Sequence, residues 1–394
     1  MKRKRKMPSY LSYMRQVMDA DEEITWITVK GNHIPIKKGE NKEDAIKSFF
    51  ESKKIGEKQP QKSESKQSKA TTPEKAKSAS GVNSKPYKDM MARAKKSKEN
   101  KSITVESVLK DAVALGKFSE KDIRTRADLA NRYLDKHTVK GNDGVTHPVD
   151  TLVKHTTGGH WEDGEYVGYT WKPERIKVQD AILDKQFANW KSALPAKGEK
   201  PKLVILGGRG GSGKSHFTNG GLGEDSYDGN KFIVIDPDAY KEELPEYKEL
   251  VDKGSEYGGL NAWEVHEESS AMKKMALKRA LGLGVNVVLD GTLAKYSSAK
   301  KVVDQFKAAG YDIEGAYMHL PREKSAVRGV SRGMRINKAT GKASGRWVPI
   351  EMLIGMVDNE ENFEKLIPDF KKWSIYDNDV PMGEMPKLVA KGGK

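Results

Sequence analysis

The chain has no cysteine, which excludes disulfides and thiolate metal sites and suits a reducing cytoplasm. No run of about 18 apolar residues occurs, so no membrane span is expected. The basic start, Met1 to Lys6, lacks a following apolar stretch, so a secretory signal is not expected either. Large apolar residues are almost missing between Ile55 and Tyr87. With 36% hydrophobic against 32% charged residues, part of the chain is expected to lie outside any packed core.

What is present is unevenly spread. Residues 1–100 hold 25 Lys and Arg against 13 Asp and Glu, about +12. The remaining residues hold 46 against 43, about +3. Contact with a polyanion therefore belongs to the N-terminal quarter.

Four stretches follow from composition and periodicity. Residues 1–50 are a small basic module. Ile24 to Val29 alternates as a strand, Gly31-Asn32 is a turn, Ile34-Pro35-Ile36 is a second strand, and Asn41 caps a helix through Ala45, Ile46, Phe49 and Phe50. Residues 51–101, rich in Lys, Ser, Gln, Glu and Pro, are expected to be a disordered linker. Residues 102–164 are a mainly helical connector. Val108, Ala112 and Leu115 share one helical face that Gly116 ends, and Ser119 to Asp122 resembles a capping box. The last stretch, 165–394, begins with a helix through Leu183, Phe187, Trp190 and Leu194. Apolar runs at Leu203–Leu206, Phe232–Ile235, Val285–Leu289 and Ile313–Leu320 then alternate with helices over Glu264–Leu281 and Ala299–Ala309. This is the βαβ pattern of a parallel sheet covered by helices. The fold class is α/β, of P-loop NTPase type. His147, His155 and His160 have no metal-site spacing around them and are read as loop residues.

The strongest chemical signal is Gly208-Arg209-Gly210-Gly211-Ser212-Gly213-Lys214-Ser215, a match to G-x-x-x-x-G-K-[ST]. Glycines let the backbone wrap a phosphate with its N–H groups inward. Lys214 reaches the β and γ oxygens, and the Ser215 hydroxyl ligates Mg²⁺. The motif follows an expected strand and opens an expected helix, where His216 joins the cofactor-binding set. Ile235-Asp236-Pro237-Asp238 places two carboxylates at the carboxyl end of a strand, where open α/β sheets bind ligands. One can take the proton of an attacking hydroxyl. The strand ending at Asp290, before Gly291 and Thr292, resembles a Walker B element, so Asp290 joins Ser215 and Asp236 as a candidate Mg²⁺ ligand. Arg328, Arg332 and Arg335 share one helical face, and with Arg346 they can clamp phosphate oxygens.

From about Trp171 to Asp379 the chain resembles the zeta-toxin family of small-molecule kinases. The matching residues are Leu203 to Ser215, Ile235 to Lys241 with Pro245, Glu267 to Ser270, Leu289 to Leu293, Gly310 to Ile313, Arg328 and Arg332, and Gly345 to Pro349. The resemblance implies that Asp238 is the general base and that Lys241, Glu268, Asp290, Thr292 and Arg346 lie at the acceptor. It also implies that Arg328 and a later arginine contact phosphate. Ala294 stands where the family often has arginine, with Lys295 beside it, which puts the shape of the acceptor pocket in question. A shorter segment, Trp26 to Ile36, resembles an element of phage minor head proteins.

The expected function is transfer of the γ-phosphate of ATP, with Mg²⁺, to a hydroxyl of a small molecule such as the nucleotide sugar UDP-N-acetylglucosamine. Expected partners are that acceptor, an antitoxin, and a capsid or nucleic acid at the basic N-terminus, in a bacterial or phage-infected cytoplasm. The alternatives are a polynucleotide-end kinase, or a virion-associated nucleic-acid-binding protein with a degenerate kinase domain.

Overall fold

In a computed structural model of the chain, the described residues are 24–29, 32–37, 41–44, 47 and 81–394, apart from 141–143, 145, 163–164, 382 and 394. Strands β1 (Ile24–Val29) and β2 (Asn32–Lys37) pair antiparallel, as the alternation predicts, but Asn32, expected in the turn, begins β2 opposite Val29. Asn41 accepts from the Glu43 backbone N–H at 2.8 Å, the contact expected of a cap. The apolar positions expected on that helix, and linker residues 51–80, lie outside the described residues.

The expected linker does not extend to residue 101. Lys85–Glu99 forms helix α1, capped by Ser84, with Tyr87 and Met90 buried. Those two side chains enter the same core as Phe363, Leu366 and Val389. The Ser84 hydroxyl and the Gly81 N–H also bond to the carbonyls of Val389 and Lys391, at 2.6 and 3.1 Å. The polar composition around α1 hides it because the surface receiving its few apolar groups comes from the opposite end of the sequence.

The connector is likewise no separate unit. Helices α2 (Val105–Ala114) and α3 (Glu120–Lys136) are capped by Thr104 and Ser119. Their Val108, Leu109, Ile123 and Ala127 share one core with Val330, Trp347 and Leu353. Short hairpins follow, Thr138–Lys140 with Thr146–Pro148 and His160–Glu162 with Glu165–Val167. Helix α4 (Pro173–Gln186) is shorter than its apolar spacing predicts. The chain tightens into a 3₁₀ turn at Trp190–Ala193, and Leu194 is exposed.

The remaining elements are β3 (Lys202–Gly207), β4 (Ile233–Ile235), α5 (Pro237–Glu243), α6 (Pro245–Asp252), α7 (His266–Leu283), β5 (Val287–Asp290) and α8 (Tyr296–Ala308). After them come β6 (Asp312–His319), α9 (Arg322–Gly333), α10 (Ile350–Gly355), α11 (Asn359–Leu366), β7 (Lys372–Asp377) and β8 (Lys387–Gly393). Six strands form one sheet in the order β4-β5-β3-β6-β7-β8. The first five are parallel, and β8 is an antiparallel edge. Val204, Ile205, Leu206, Val287 and Val288 are buried, as strands covered on both faces require.

This strand order decides where chemistry happens. From β3 the chain runs outward to β4 and back to β5, then crosses to β6 and β7 on the other side. The switch point lies at the carboxyl end of β3, where open α/β sheets bind ligands. Gly208 follows β3, Asp236 follows β4 and Asp290 ends β5, so all three come to the same edge. No helix among the described residues is long and apolar enough to cross a membrane.

Candidate active site

The phosphate loop has the backbone its glycines predict. Gly208, Gly211 and Gly213 have φ of 142°, 82° and 95°, values that L side chains rarely adopt. A Cβ at Gly213 would lie 2.4 Å from Asn378 Nδ2, and that amide donates to the Ser212 carbonyl at 2.7 Å. Ser212 is fully buried, whereas Ser215 is exposed beside the loop. One expectation fails here. No α-helix follows the loop; Lys214–Phe217, which includes His216, is a four-residue 3₁₀ turn. The Thr218-Asn219-Gly220-Gly221 run that comes next contains poor helix formers.

Lys214 folds back over the loop. Its Nζ donates to the Gly208 carbonyl at 2.8 Å and to the Arg209 carbonyl at 3.3 Å, and lies 3.6 Å from Asp290 Oδ1. Arg209 departs from the cofactor-binding role expected of it, because its side chain turns away from the loop. It is buried and pairs with Glu360, which also meets His319 Nδ1 at 2.8 Å. Its backbone carbonyl stays in the loop, accepting from Lys214 Nζ at 3.3 Å.

Across the crevice, Asp236 caps α5, its Oδ1 accepting from the Asp238 N–H at 2.8 Å. Asp238 Oδ1 is 3.2 Å from Lys241 Nζ, and its Oδ2 is 2.7 Å from Arg346 Nη2. Burial alone would raise the Asp238 carboxyl, yet Lys241 and Arg346 hold it below the usual carboxylate range. Asp236 is raised by burial and by the Asp238 charge. Asp290 is pushed up to about 6, by burial and by Asp236 and Asp238, against the pull of Lys214. Lys241 Nζ also meets His266 Nδ1 at 3.0 Å. His266 and Asn378 are contributors that no local sequence signal marks.

A cavity of about 570 Å³ opens beside these groups. Asp238, Lys241, Asp290, Thr292, Arg332 and Arg346 are among its polar lining. Trp263, Leu293, Val302, Val348 and Met352 are among its apolar lining, and both Ala294 and Lys295 face the space. Leu293 has φ of +59°, an uncommon conformation for a non-glycine residue. It persists because Asn362 Nδ2 holds the Leu293 carbonyl at 2.9 Å and Asn359 Nδ2 holds the Thr292 carbonyl at 2.6 Å.

The arginines separate. Arg328 lies against the phosphate loop, with Nη1 3.3 Å from the Gly211 carbonyl. Arg332 lines the main cavity, and burial together with the neighbouring Arg346 lowers its guanidinium pKa. Arg335 falls beyond the end of α9 at Gly333 and faces a second cavity of about 410 Å³ behind Arg332 and Arg346.

Glu268 is not in the site. It is fully buried, held by Arg175 Nε and Gln179 Nε2, each at 2.7 Å, while Asp150 accepts from its backbone N–H at 3.1 Å. Helical phase turns it to the inner face of α7, where Arg175 of α4 meets it. His155 is likewise tied down, 3.0 Å from Glu246.

The chain is similar to known proteins over part of its length. Residues 185–380 match the family described as zeta toxin. The toxin PezT of Streptococcus pneumoniae is 26% identical over 46% of this chain and 70% of its own length. The zeta toxin of Enterococcus hirae is 29% identical over 34% of this chain, and that match spans 45% of the relative. Among solved structures, the PezAT toxin–antitoxin system of S. pneumoniae superposes with a TM-score of 0.41 at 19% identity, over 56% of this chain and 81% of that one. A complex of AvrRxo1-ORF1 and ORF2 with ATP superposes at 0.42 with 18% identity, over 56% and 68%.

Proposed function

We propose that the chain, whose residues 185–380 match the zeta toxin family, is an ATP-dependent phosphotransferase of toxin type, acting on a hydroxyl of a small molecule. The observation that carries this reading is that Lys214 and Asp238 stand at the same edge of the sheet, after β3 and β4. Lys214 lies over the phosphate loop, and Asp238 is held across the crevice by Lys241 and Arg346.

In this reading the loop's N–H groups and Lys214 hold the β and γ phosphates. Asp238, ionised at neutral pH, takes the acceptor's hydroxyl proton as its oxygen bonds to the γ-phosphorus and the bond to the ADP oxygen breaks. Arg328 beside the loop, with Arg332 and Arg346 at the cavity, stabilises charge on the transferring group. Asp236, raised by burial and by Asp238, and Asp290, raised by burial and by Asp236 and Asp238, together with the Ser215 hydroxyl, suit a Mg²⁺ ion completed by phosphates and water. Such an ion would neutralise charge on the β and γ oxygens.

The acceptor we favour is a nucleotide sugar such as UDP-N-acetylglucosamine. A cavity lined both by cationic and carboxylate groups and by apolar side chains suits a molecule carrying both anionic and flat parts. The relatives are named toxins, and an antitoxin is the protein partner we favour. The test is a search for phosphorylated metabolites in cells expressing residues 81–394, beside the Lys214→Ala variant. Loss of the beta/gamma cation should cut phosphotransfer on the order of 100-fold or more. Near wild-type turnover in that variant would remove the reading.

A further inference from the structure

Arg126 lies on α3, outside the zeta toxin domain, and is almost fully buried. Its Nη1 donates to the Glu256 carbonyl at 2.5 Å, and its Nη2 to the carbonyls of Gly258 and Gly345 at 2.6 and 3.3 Å. It makes no ion pair among the described residues. Burial without a countercharge lowers its guanidinium pKa to about 10. An unpaired charge inside a core is costly, and here its donors converge on backbone oxygens of two separate loops.

Those loops are locked to each other. The Trp347 N–H donates to the Gly259 carbonyl at 3.0 Å. Gly259 has φ of +80°, and a Cβ there would lie 2.2 Å from the Gly345 oxygen; a Cβ at Gly345 would lie 1.9 Å from the Arg332 oxygen. The backbone at 345 is therefore pressed between Gly259 and Arg332. The next residue is Arg346, whose guanidinium reaches Asp238.

We propose that Arg126 is a positioning residue for Arg346. From the N-terminal helices it clamps the 256–259 loop onto the 345–347 segment and so sets the guanidinium opposite Asp238. The family domain alone lacks this clamp, so the segment carrying α3 completes the site. The kinetic part of this inference rests on the phosphotransferase reading; the backbone part does not. A 1 Å shift of a group at the reacting phosphate can cost about 100-fold in rate.

The test uses the full chain. Arg126→Met should lower kcat at least about tenfold, with the ATP dissociation constant within about twofold of wild type, because the phosphate loop is not touched. Hydrogen exchange of the amides at 345–347 should speed up by about tenfold or more. Arg126→Lys, which keeps donors, should recover much of both, and it decides the matter if the methionine variant does not fold. The control is Val389→Ala on the edge strand β8, a buried residue of the other core, which does not include Trp347; it should lower Tm while leaving kcat and exchange at 345–347 unchanged. Wild-type exchange at 345–347 in Arg126→Met overturns the proposal. So does a Val389→Ala protein that reproduces both defects. Absence of phosphotransfer in the wild-type chain would sink the functional reading, and exchange would still decide the role of Arg126.

Discussion

Arg346 reaches across the crevice to Asp238, Nη2 to Oδ2 at 2.7 Å, while Lys241 holds the other carboxylate oxygen at 3.2 Å. The carboxylate proposed as the base is thus oriented by two cations, one from its own helix and one about a hundred residues further along the chain. Asp238→Asn is expected to lower turnover by about 100-fold and to leave ATP affinity nearly intact, since a base acts on the acceptor. ATP binding measured beside turnover checks this. If ATP binding collapses, and Asp236→Asn shows the pure rate defect instead, the two carboxylates have exchanged roles.

His266 is pushed down to about 4 by burial and by the Lys241 ammonium, with Asp238 opposing and Lys273 adding to the shift. Its folded pKa lies below its ordinary value of 6.5. As pH falls through 6.5 the unfolded chain therefore takes up a proton that the folded chain refuses. Stability should drop between pH 6.5 and 4 by up to about 3 kcal/mol and level off below. His266→Asn, which keeps an acceptor for Lys241 but does not titrate, should flatten that part of the Tm profile. Identical slopes in the two proteins would exclude His266 as the source.

Glu360 is held down at about 2. Burial would raise it, but His319 and Arg209 outweigh burial. The carboxylate's contribution to stability is fully present above its ordinary pKa of 4.5 and is lost as pH falls toward 2. Glu360→Gln leaves Arg209 buried without its countercharge and should cost about 3–5 kcal/mol at neutral pH. Denaturant titrations at pH 7 and pH 3 should show this gap narrowing in acid. A gap of equal size at both pH values would contradict the assignment.

Truncation should reveal two boundaries. A protein starting at residue 81 is expected to keep full activity and to lose salt-sensitive DNA binding, because most of the N-terminal excess charge is gone. One starting at Lys101 loses α1, and with it the buried Tyr87 and Met90, the Arg93–Asp377 pair and the Ser97–Glu323 hydrogen bond. Exposing the core beneath two buried side chains should destabilise it by several kcal/mol. Thermal melts of both proteins decide this, and equal Tm values would show that α1 is dispensable.

Much of the site was legible because its signals are local. The phosphate loop depends on glycines at 208, 211 and 213 whose positive φ values the motif requires. The strands of the parallel sheet declare themselves as short β-branched runs, and the carboxylates stand directly after them. The same locality explains the errors. Helical phase and Arg175, far away in sequence, took Glu268 out of the pocket. A polar neighbourhood concealed α1.

Sequence alone therefore determined the P-loop, the strand–helix alternation and the carboxylates at Asp236, Asp238 and Asp290, because backbone preference and apolar spacing act over a few residues. Only the tertiary structure decided which charges meet. Arg209 turns inward to Glu360, Arg346 reaches Asp238, His266 holds Lys241, and Arg126 clamps two loops from outside the family domain. Each pairing depends on the strand order β4-β5-β3-β6-β7-β8, which gathers distant loops at one edge. In that desolvated crevice a charge must find whichever partner the fold brings within reach.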